Sequence, residues 1–392
     1  MKLTNIISRL FFSNTRWRWA PTRSRVLIYD SNNIEFLYPL VSQVKFEVLY
    51  LRGEMWFIWP LVQAAVRTLF SGGSALSNYS YYAIKAAHPE LVISTVDENP
   101  EFWKIKSKFP EVTTLLLQNG RRCAIGDIFS EIQPDKRFFV DYLCTFNDHI
   151  ASHYDQIIRG SKVSLGSLKS NSIPIFPGNH NQRNLAFISV YEDPPGNARA
   201  MRVLANRREV PWGEFFELER WLLPLLETWC TENYFKLQVL GRSNGTSSHE
   251  KEFFENILHG RSNWEFVPKT NMTSSYRAVD EAAMVVNTDS TLGYEALARG
   301  SKVAFFTRRL QDVQENISLE FGWPLRTEQH GFFWSNERDV DEVSSLLNRL
   351  SNASPDKWKD ATTQIVHQVM AVDPANAGLK KLLDKILREE RS

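Results

Sequence analysis

Short apolar runs recur along the chain, and each ends in a polar cluster. Residues 25–30 (RVLIYD), 46–51 (FEVLYL), 91–95 (LVIST), 113–117 (TTLLL), 138–144 (FFVDYLC) and 162–165 (KVSL) have the length and composition of strands buried on both faces. Stretches with helical spacing lie between them, which predicts a parallel sheet built from βα units. The polar residues that follow the runs, such as Asp97 and Glu98, Gln118 and Asn119, or Asp148 and His149, then share one edge of that sheet. Open α/β sheets bind their ligands at this edge.

Residues 170–184 (SNSIPIFPGNHNQRN) carry no apolar period and read as a linker. The strand pattern restarts at 185–190 (LAFISV) and continues through 236–240, 264–267, 283–286 and 302–306, with helices expected over 212–231, 250–258, 339–350, 355–369 and 377–389. The fold class expected is α/β, with two Rossmann-like βαβ domains facing a central cleft. The boundaries are an N-terminal arm at 1–24, a first domain at 25–169, the linker at 170–184, a second domain at 185–370 and a C-terminal helix at 371–392.

Two segments break the rhythm. Residues 55–70 (MWFIWPLVQAAVRTLF) form the most apolar stretch, but its uncharged part is only about 12 residues long, short of a membrane span. It is read as a buried core helix in preference to one lying on a membrane, with Pro60 tolerated in the first turn. Residues 1–24 place an apolar run broken by Arg9 before Arg16, Arg18 and Arg23, beside Trp17 and Trp19. This is neither a span nor a cleavable signal. It suits an anionic membrane surface, and equally a loose arm packed on its own domain.

Composition narrows the picture. A chain of 392 residues exceeds one ordinary core, and a net charge of +1 argues against a nucleic-acid binder driven by a basic field. Cys123, Cys144 and Cys230 are few and widely spaced, as expected of reduced thiols. His149 and His153 form HxxxH without the glutamate of a zinc-protease motif, and read as two histidines on one helix face.

The most informative stretch is 282–306 (AAMVVNTDSTLGYEALARGSKVAFF), a strand, a polar turn, a helix and a second strand. Ser290 and Thr291 are helix-capping types at the carboxyl end of the first strand, where unpaired amides and the helix dipole favour a phosphate. Glu295 follows one turn later, placed to accept from a ribose diol. A capped helix with no ligand satisfies the same spacing.

Five phrases carry a family likeness: DSTLGYEALARGSKVAFF at 289–306, LLLQNGRR at 115–122, VDYLCTFNDH at 140–149, VSLGSLKSN at 163–171 and NLAFISVYED at 184–193. Together they resemble the bacterial surface-carbohydrate biosynthesis glycosyltransferases of the GT-B fold, a group related to the transferases of Kdo and other nonulosonic acids. The resemblance spans residues 25–309. It implies that the second domain holds a nucleotide-sugar donor and the first domain the acceptor. Ser290 and Thr291 would meet the phosphate, Glu295 the ribose, the Pro268-Lys269 turn the base, and Arg242 would add a cation. One clear anion site, with no second basic cluster beside it, leans towards a CMP donor. Asp193 would act as nucleophile or cation stabiliser, giving retention or inversion respectively, with Glu98, Asp97 or Asp148 as acid or base. Gln118, Asn119 and His149 would contact sugar or acceptor, and Arg121 and Arg122 a lipid-linked acceptor. The likeness further implies no cofactor and no metal, a lipid-linked or oligosaccharide acceptor, and a cytoplasmic enzyme peripheral at the inner membrane face. A GT-B enzyme using a UDP- or GDP-hexose, an epimerase on the same fold and a non-catalytic scaffold of polysaccharide assembly are the alternatives.

Overall fold

The computed structural model describes residues 15–51, 54–71, 74–123, 127–178, 183–193, 201–203, 209–244, 248–307 and 320–389. The first sheet contains β2 (Val26–Ile28), β3 (Phe46–Val48), β5 (Leu91–Ser94), β6 (Thr113–Leu117), β7 (Phe139–Thr145) and β8 (Arg159–Ser164), ordered β3-β2-β5-β6-β7-β8 and parallel throughout. The second contains β9 (Asn184–Ile188), β12 (Lys236–Asn244), β13 (Trp264–Lys269), β14 (Met284–Asn287), β15 (Val303–Phe306) and β16 (Trp334–Ser335), ordered β13-β12-β9-β14-β15-β16 and again parallel. Helices cover both faces, so β2, β5, β9, β14 and β15 are buried along their whole length. Strand order reverses between β2 and β5 in one sheet and between β9 and β14 in the other. These are the points at which such sheets open a crevice beyond their carboxyl ends.

The expected strands are present, with their ends shifted by at most four residues. Several elements depart from expectation. Residues 55–70 begin as β4 (Met55–Phe57), which pairs in parallel with β1 (Arg16–Arg18), and only then become the helix Ile58–Ser71. Residues 15–24 are therefore partly a strand, whereas residues 1–14 of the expected arm lie outside the described residues. The helix Ile58–Ser71 buries Pro60 and Ala64 but turns much of its apolar surface outward, so it is not the core helix expected. The expected helix at 212–231 divides at Phe216 into Trp212–Phe215 and Glu217–Glu232. A short hairpin, β10 (Met201–Val203) with β11 (Glu209–Pro211), was not legible in the sequence.

The stretch expected as a linker opens with the helix Leu168–Ser172 and is pinned afterwards; residues 179–182 lie outside the described residues. Arg299, at the end of the helix Thr291–Ala298, donates to the carbonyls of Ser170, Ile173 and Pro174 while paired to the buried Asp280. The chain then returns to the first lobe. Leu379, Leu383 and Ile386 of the helix Ala377–Glu389 pack in one cluster with Val26, Ile28 and Leu37, and Arg25 donates to the Leu387 carbonyl at 2.7 Å. Gly166, at φ +72°, sits where the two crossing segments touch. A Cβ there would lie 1.9 Å from the Ala371 carbonyl oxygen.

Candidate functional site

The carboxyl ends of the two sheets face each other across a cleft of about 560 Å³. The first lobe supplies Asn33 and Glu35 from beyond β2, Asn119 to Arg121 from beyond β6, and Lys169 from the helix after β8. The second supplies Glu192, Arg242 and Lys269 from the ends of β9, β12 and β13, and Asp289 to Leu292 from beyond β14. A cleft of this size accepts a nucleotide with an attached sugar.

Its first feature is a convergence of cations. Burial lowers the affinity of the Lys269 ammonium for its proton, and Lys169 and Arg242 lower it further, while Glu35 opposes them. Lys169 belongs to the first lobe and Arg242 and Lys269 to the second, so the positive field is assembled only across the cleft. The single anion site expected from the sequence is thus corrected: a second basic group is present. Arg242 is held in turn. Its guanidinium pairs with Glu192 at 2.5 Å, and its backbone N–H donates to the buried Glu250, whose Oε1 also accepts from Ser189 Oγ.

Its second feature is the start of the helix Thr291–Ala298. Gly293 is packed so closely on the strand end that a Cβ would fall 2.1 Å from Asn287 Cγ. This lets the Asn287 side chain close the turn, accepting from the Ser290 N–H at 3.1 Å and donating to the Ser290 carbonyl at 3.2 Å. Ser290 Oγ then accepts from the Leu292 N–H. Two of the amides expected to meet an anion are therefore used by the protein. Glu295 is buried at the cleft floor, where it accepts from Ser167 Oγ and, at 2.9 Å, from the Tyr276 hydroxyl. Burial and the adjacent carboxylate push the Tyr276 hydroxyl well above the usual phenol range, so it donates its proton to Glu295 throughout the neutral range.

A family model described as "putative O-antigen biosynthesis protein" matches residues 115–387. The chain belongs to this O-antigen biosynthesis family. No curated protein sequence matches it. Among solved structures, a "putative UDP-N-acetylglucosamine 2-epimerase" from Listeria monocytogenes superposes with a TM-score of 0.56 at 10% identity, over 92% of this chain and 96% of that one. The UDP-GlcNAc 2-epimerase from Neisseria meningitidis bound to UDP-GlcNAc gives a TM-score of 0.52 at 7% identity, over 96% and 100%. The pneumococcal O-GlcNAc transferase GtfA, in complex with UDP and GlcNAc, gives 0.46 at 10% identity, over 80% of this chain. The chain spans only 60% of that protein. The first two likenesses establish the fold, a pair of Rossmann-like lobes about a central cleft in the GT-B manner.

The residues singled out from sequence divide into two groups. Asn119, Arg242, Lys269, Ser290, Thr291 and Glu295 are brought together in the cleft. Pro268 is exposed within β13 rather than part of a turn, and does not line the cleft. Glu98 points away and pairs with Arg122 at 2.9 Å. Asp97 is wholly buried, accepting from both the Nε and Nη2 of Arg122, from the Asn119 N–H and from the Tyr154 hydroxyl, so it shapes the loop rather than meeting substrate. Arg122 is therefore spent on internal carboxylates, and the lipid-acceptor role expected of it is corrected too. Gln118 is buried between the Phe146 N–H and the Gly120 carbonyl and does not line the cleft. Asp148 starts the helix Asp148–Tyr154 and accepts from Ser164 Oγ, and His149 is on the same helix, with neither in the cleft lining. His153 bonds the His149 carbonyl and meets the edge of Trp323, so the HxxxH pair is structural. Asp193 stands one residue beyond the lining, 3.8 Å from His249 Nδ1.

Lys169, Glu192 and Glu35 are cleft residues that sequence reasoning passed over. Lys169 and Glu192 lie inside the phrases at 163–171 and 184–193, so the family likeness already held them. Glu35 had only its place after the first strand as a signal. Among the described residues no group of three or more His, Cys, Asp or Glu side chains is arranged to hold a metal ion.

Proposed function

We propose that this protein is a glycosyltransferase of O-antigen assembly, moving a sugar from a nucleoside-diphosphate donor to a glycan acceptor held by the first lobe. The observation that carries this reading is the convergence of Lys169, Arg242 and Lys269 from opposite lobes on one cleft, beside a capped helix start and the buried Glu295. Lys169 and Lys269, with Arg242 shared with Glu192, suit the two adjacent charges of a pyrophosphate, whereas a CMP-nonulosonate carries its second charge apart, on the sugar carboxylate. They would neutralise the charge that grows on the leaving phosphate as the glycosidic bond breaks, without a metal ion. Glu295 would receive the ribose at the cleft floor. Glu35 is exposed in the first turn of the helix Ile34–Val41, on the acceptor side and within electrostatic reach of Lys269. It is the carboxylate best placed to take the proton of the acceptor hydroxyl.

A thermal-shift panel of UDP, GDP, CDP and CMP tests the donor class. A diphosphate at about 100 times its Kd stabilises the folded state by about 2.7 kcal/mol, and CMP should shift the melting point less. A larger shift with CMP would return the donor to the nonulosonate class, and no shift with any nucleotide would remove the transferase reading.

A second reading, epimerisation of a UDP-hexose, is favoured by one observation: the fold matches two epimerases over 96% and 100% of their length. The two readings separate cleanly. An epimerase turns over a UDP-hexose with no acceptor present, whereas a transferase releases nucleotide only when the acceptor glycan is present.

A further inference from the structure

The helix Ile58–Ser71 is built inside out. Trp59, Val62, Val66, Leu69 and Phe70 recur at spacings that place them on one side of a helix, and they are 45%, 47%, 50%, 80% and 86% exposed. The buried Pro60 and Ala64 mark the opposite side. Arg67 is the one charged residue in this helix, and its guanidinium lies 5.1 Å from the Tyr81 ring, at the margin of the apolar crest. A helix facing water would carry its charges where this one carries leucine and phenylalanine.

A collar of tryptophan and arginine surrounds the crest. β1 brings Trp17 to the surface beside β4, and Trp19 follows it. The Trp59 N–H donates to the Trp19 carbonyl at 2.8 Å, and the two indoles stack with centroids 6.1 Å apart. Arg16, Arg18 and Arg23 are exposed in the same short segment. Arg18 is paired with Glu47, and Arg16, Arg23 and Arg67 outnumber the exposed Glu54, which leaves the margin net positive. Aliphatic crest, indole collar and cationic margin are the composition of an element that lies in a lipid headgroup layer. A symmetric contact with a second copy would instead bring these arginines against their own kind. Among the described residues no helix is long and apolar enough to cross a membrane, so the geometry is that of lying on the surface.

We propose that this face docks on an anionic phospholipid surface. The face also adjoins the cleft. Glu54, just before β4, accepts from Ser31 Oγ at 2.7 Å, and Ser31 lies two residues before Asn33, which lines the cleft. Docking therefore brings the acceptor side of the cleft to the lipid headgroups, where a lipid-borne glycan would be presented. It does so whether the cleft transfers a sugar or epimerises one.

Co-sedimentation of the full chain with vesicles tests this directly. Wild-type protein should bind phosphatidylcholine vesicles containing phosphatidylglycerol, bind pure phosphatidylcholine far less, and show a blue shift of tryptophan emission on binding. Val62→Glu/Val66→Glu/Leu69→Glu should reduce binding about tenfold or more. Leu69→Ser/Phe70→Ser, a milder change at the two most exposed positions, should reduce it in the same direction. Both variants should keep the melting point and the nucleotide response of wild type, which keeps a failure of docking distinct from a failure of the cleft. Absence of binding to the phosphatidylglycerol vesicles, or undiminished binding by the variants, overturns the proposal. So does a wild-type dimer in light scattering that the same substitutions dissociate, because the occupant would then be a second copy.

Discussion

The backbone N–H of Arg121 donates to the Thr291 hydroxyl at 2.8 Å, so the loop beyond β6 in one lobe touches the first residue of the other lobe's helix. Gly120 lies against the same hydroxyl, where even a Cβ would make an ordinary contact at 3.7 Å. Arg121 also stacks over the Tyr294 ring at 5.5 Å and donates to the Glu320 carbonyl. The hydroxyl expected to meet a phosphate thus holds the lobes at the cleft's own width.

Thr291→Val removes that acceptor while keeping the shape of the side chain. Leaving the Arg121 amide without its partner should cost about 1–3 kcal/mol in urea denaturation. Small-angle scattering should show a larger radius of gyration as the lobes part, and nucleotide affinity should fall. Unchanged stability and dimensions would mean the contact does not hold the lobes.

Lys269 makes binding depend on pH. Burial, with Lys169 and Arg242, holds its folded-state pKa below the ordinary lysine range. Below that depressed value the ammonium is charged and a diphosphate finds all three cations. As pH rises through it, the charge and part of the affinity disappear, before an ordinary lysine would titrate. The unliganded protein shows the opposite sign, because losing the crowded charge relieves repulsion and adds stability as pH rises over the same window. Calorimetric titration of UDP across the alkaline range should show this decline, and Lys269→Met should flatten it while weakening binding at neutral pH.

Asp97 and Glu98 are neighbours in sequence with different consequences. Asp97→Asn leaves Arg122 buried without its main partner and should destabilise the first lobe by about 3–5 kcal/mol, loosening the loop that carries Asn119. Glu98→Gln removes a largely exposed member of the same pair set, worth about 0–1 kcal/mol, and should leave turnover intact. Urea denaturation together with nucleotide-release kinetics reads both.

Glu35→Gln should lower kcat by about 10²–10⁴ with little change in UDP affinity, as expected of a base that meets only the acceptor. Asp148→Asn, outside the cleft lining, should leave kcat near wild type, and turnover should persist in EDTA. Loss on chelation would place a metal ion in the reaction.

Much of this architecture was legible because parallel strands buried on both faces are written as unbroken apolar runs. The runs at 91–95, 113–117, 283–286 and 302–306 each became a strand, and the polar residues after them became the edge of a cleft. Side-chain direction was not legible. Asp97, Gln118 and Asn119 follow consecutive strands, yet only Asn119 reaches the cleft, because Asp97 and Gln118 are turned inward by Arg122 and Phe146. Lys269 and Lys169 are a hundred residues apart in different lobes, and nothing local announces that they share a field. The helix Ile58–Ser71 misled for a related reason: apolar spacing reports a face but not which way it looks.

The helix Ala377–Glu389 completes the packing around Val26 and Ile28 although the whole second lobe separates them in the chain. During synthesis the amino-terminal half must therefore wait, with part of its interior uncovered, until the far end has left the ribosome. Neither lobe is a unit that can be cut free at the crossing, and a nascent chain halted after the second sheet would be a client for chaperones rather than a half-enzyme.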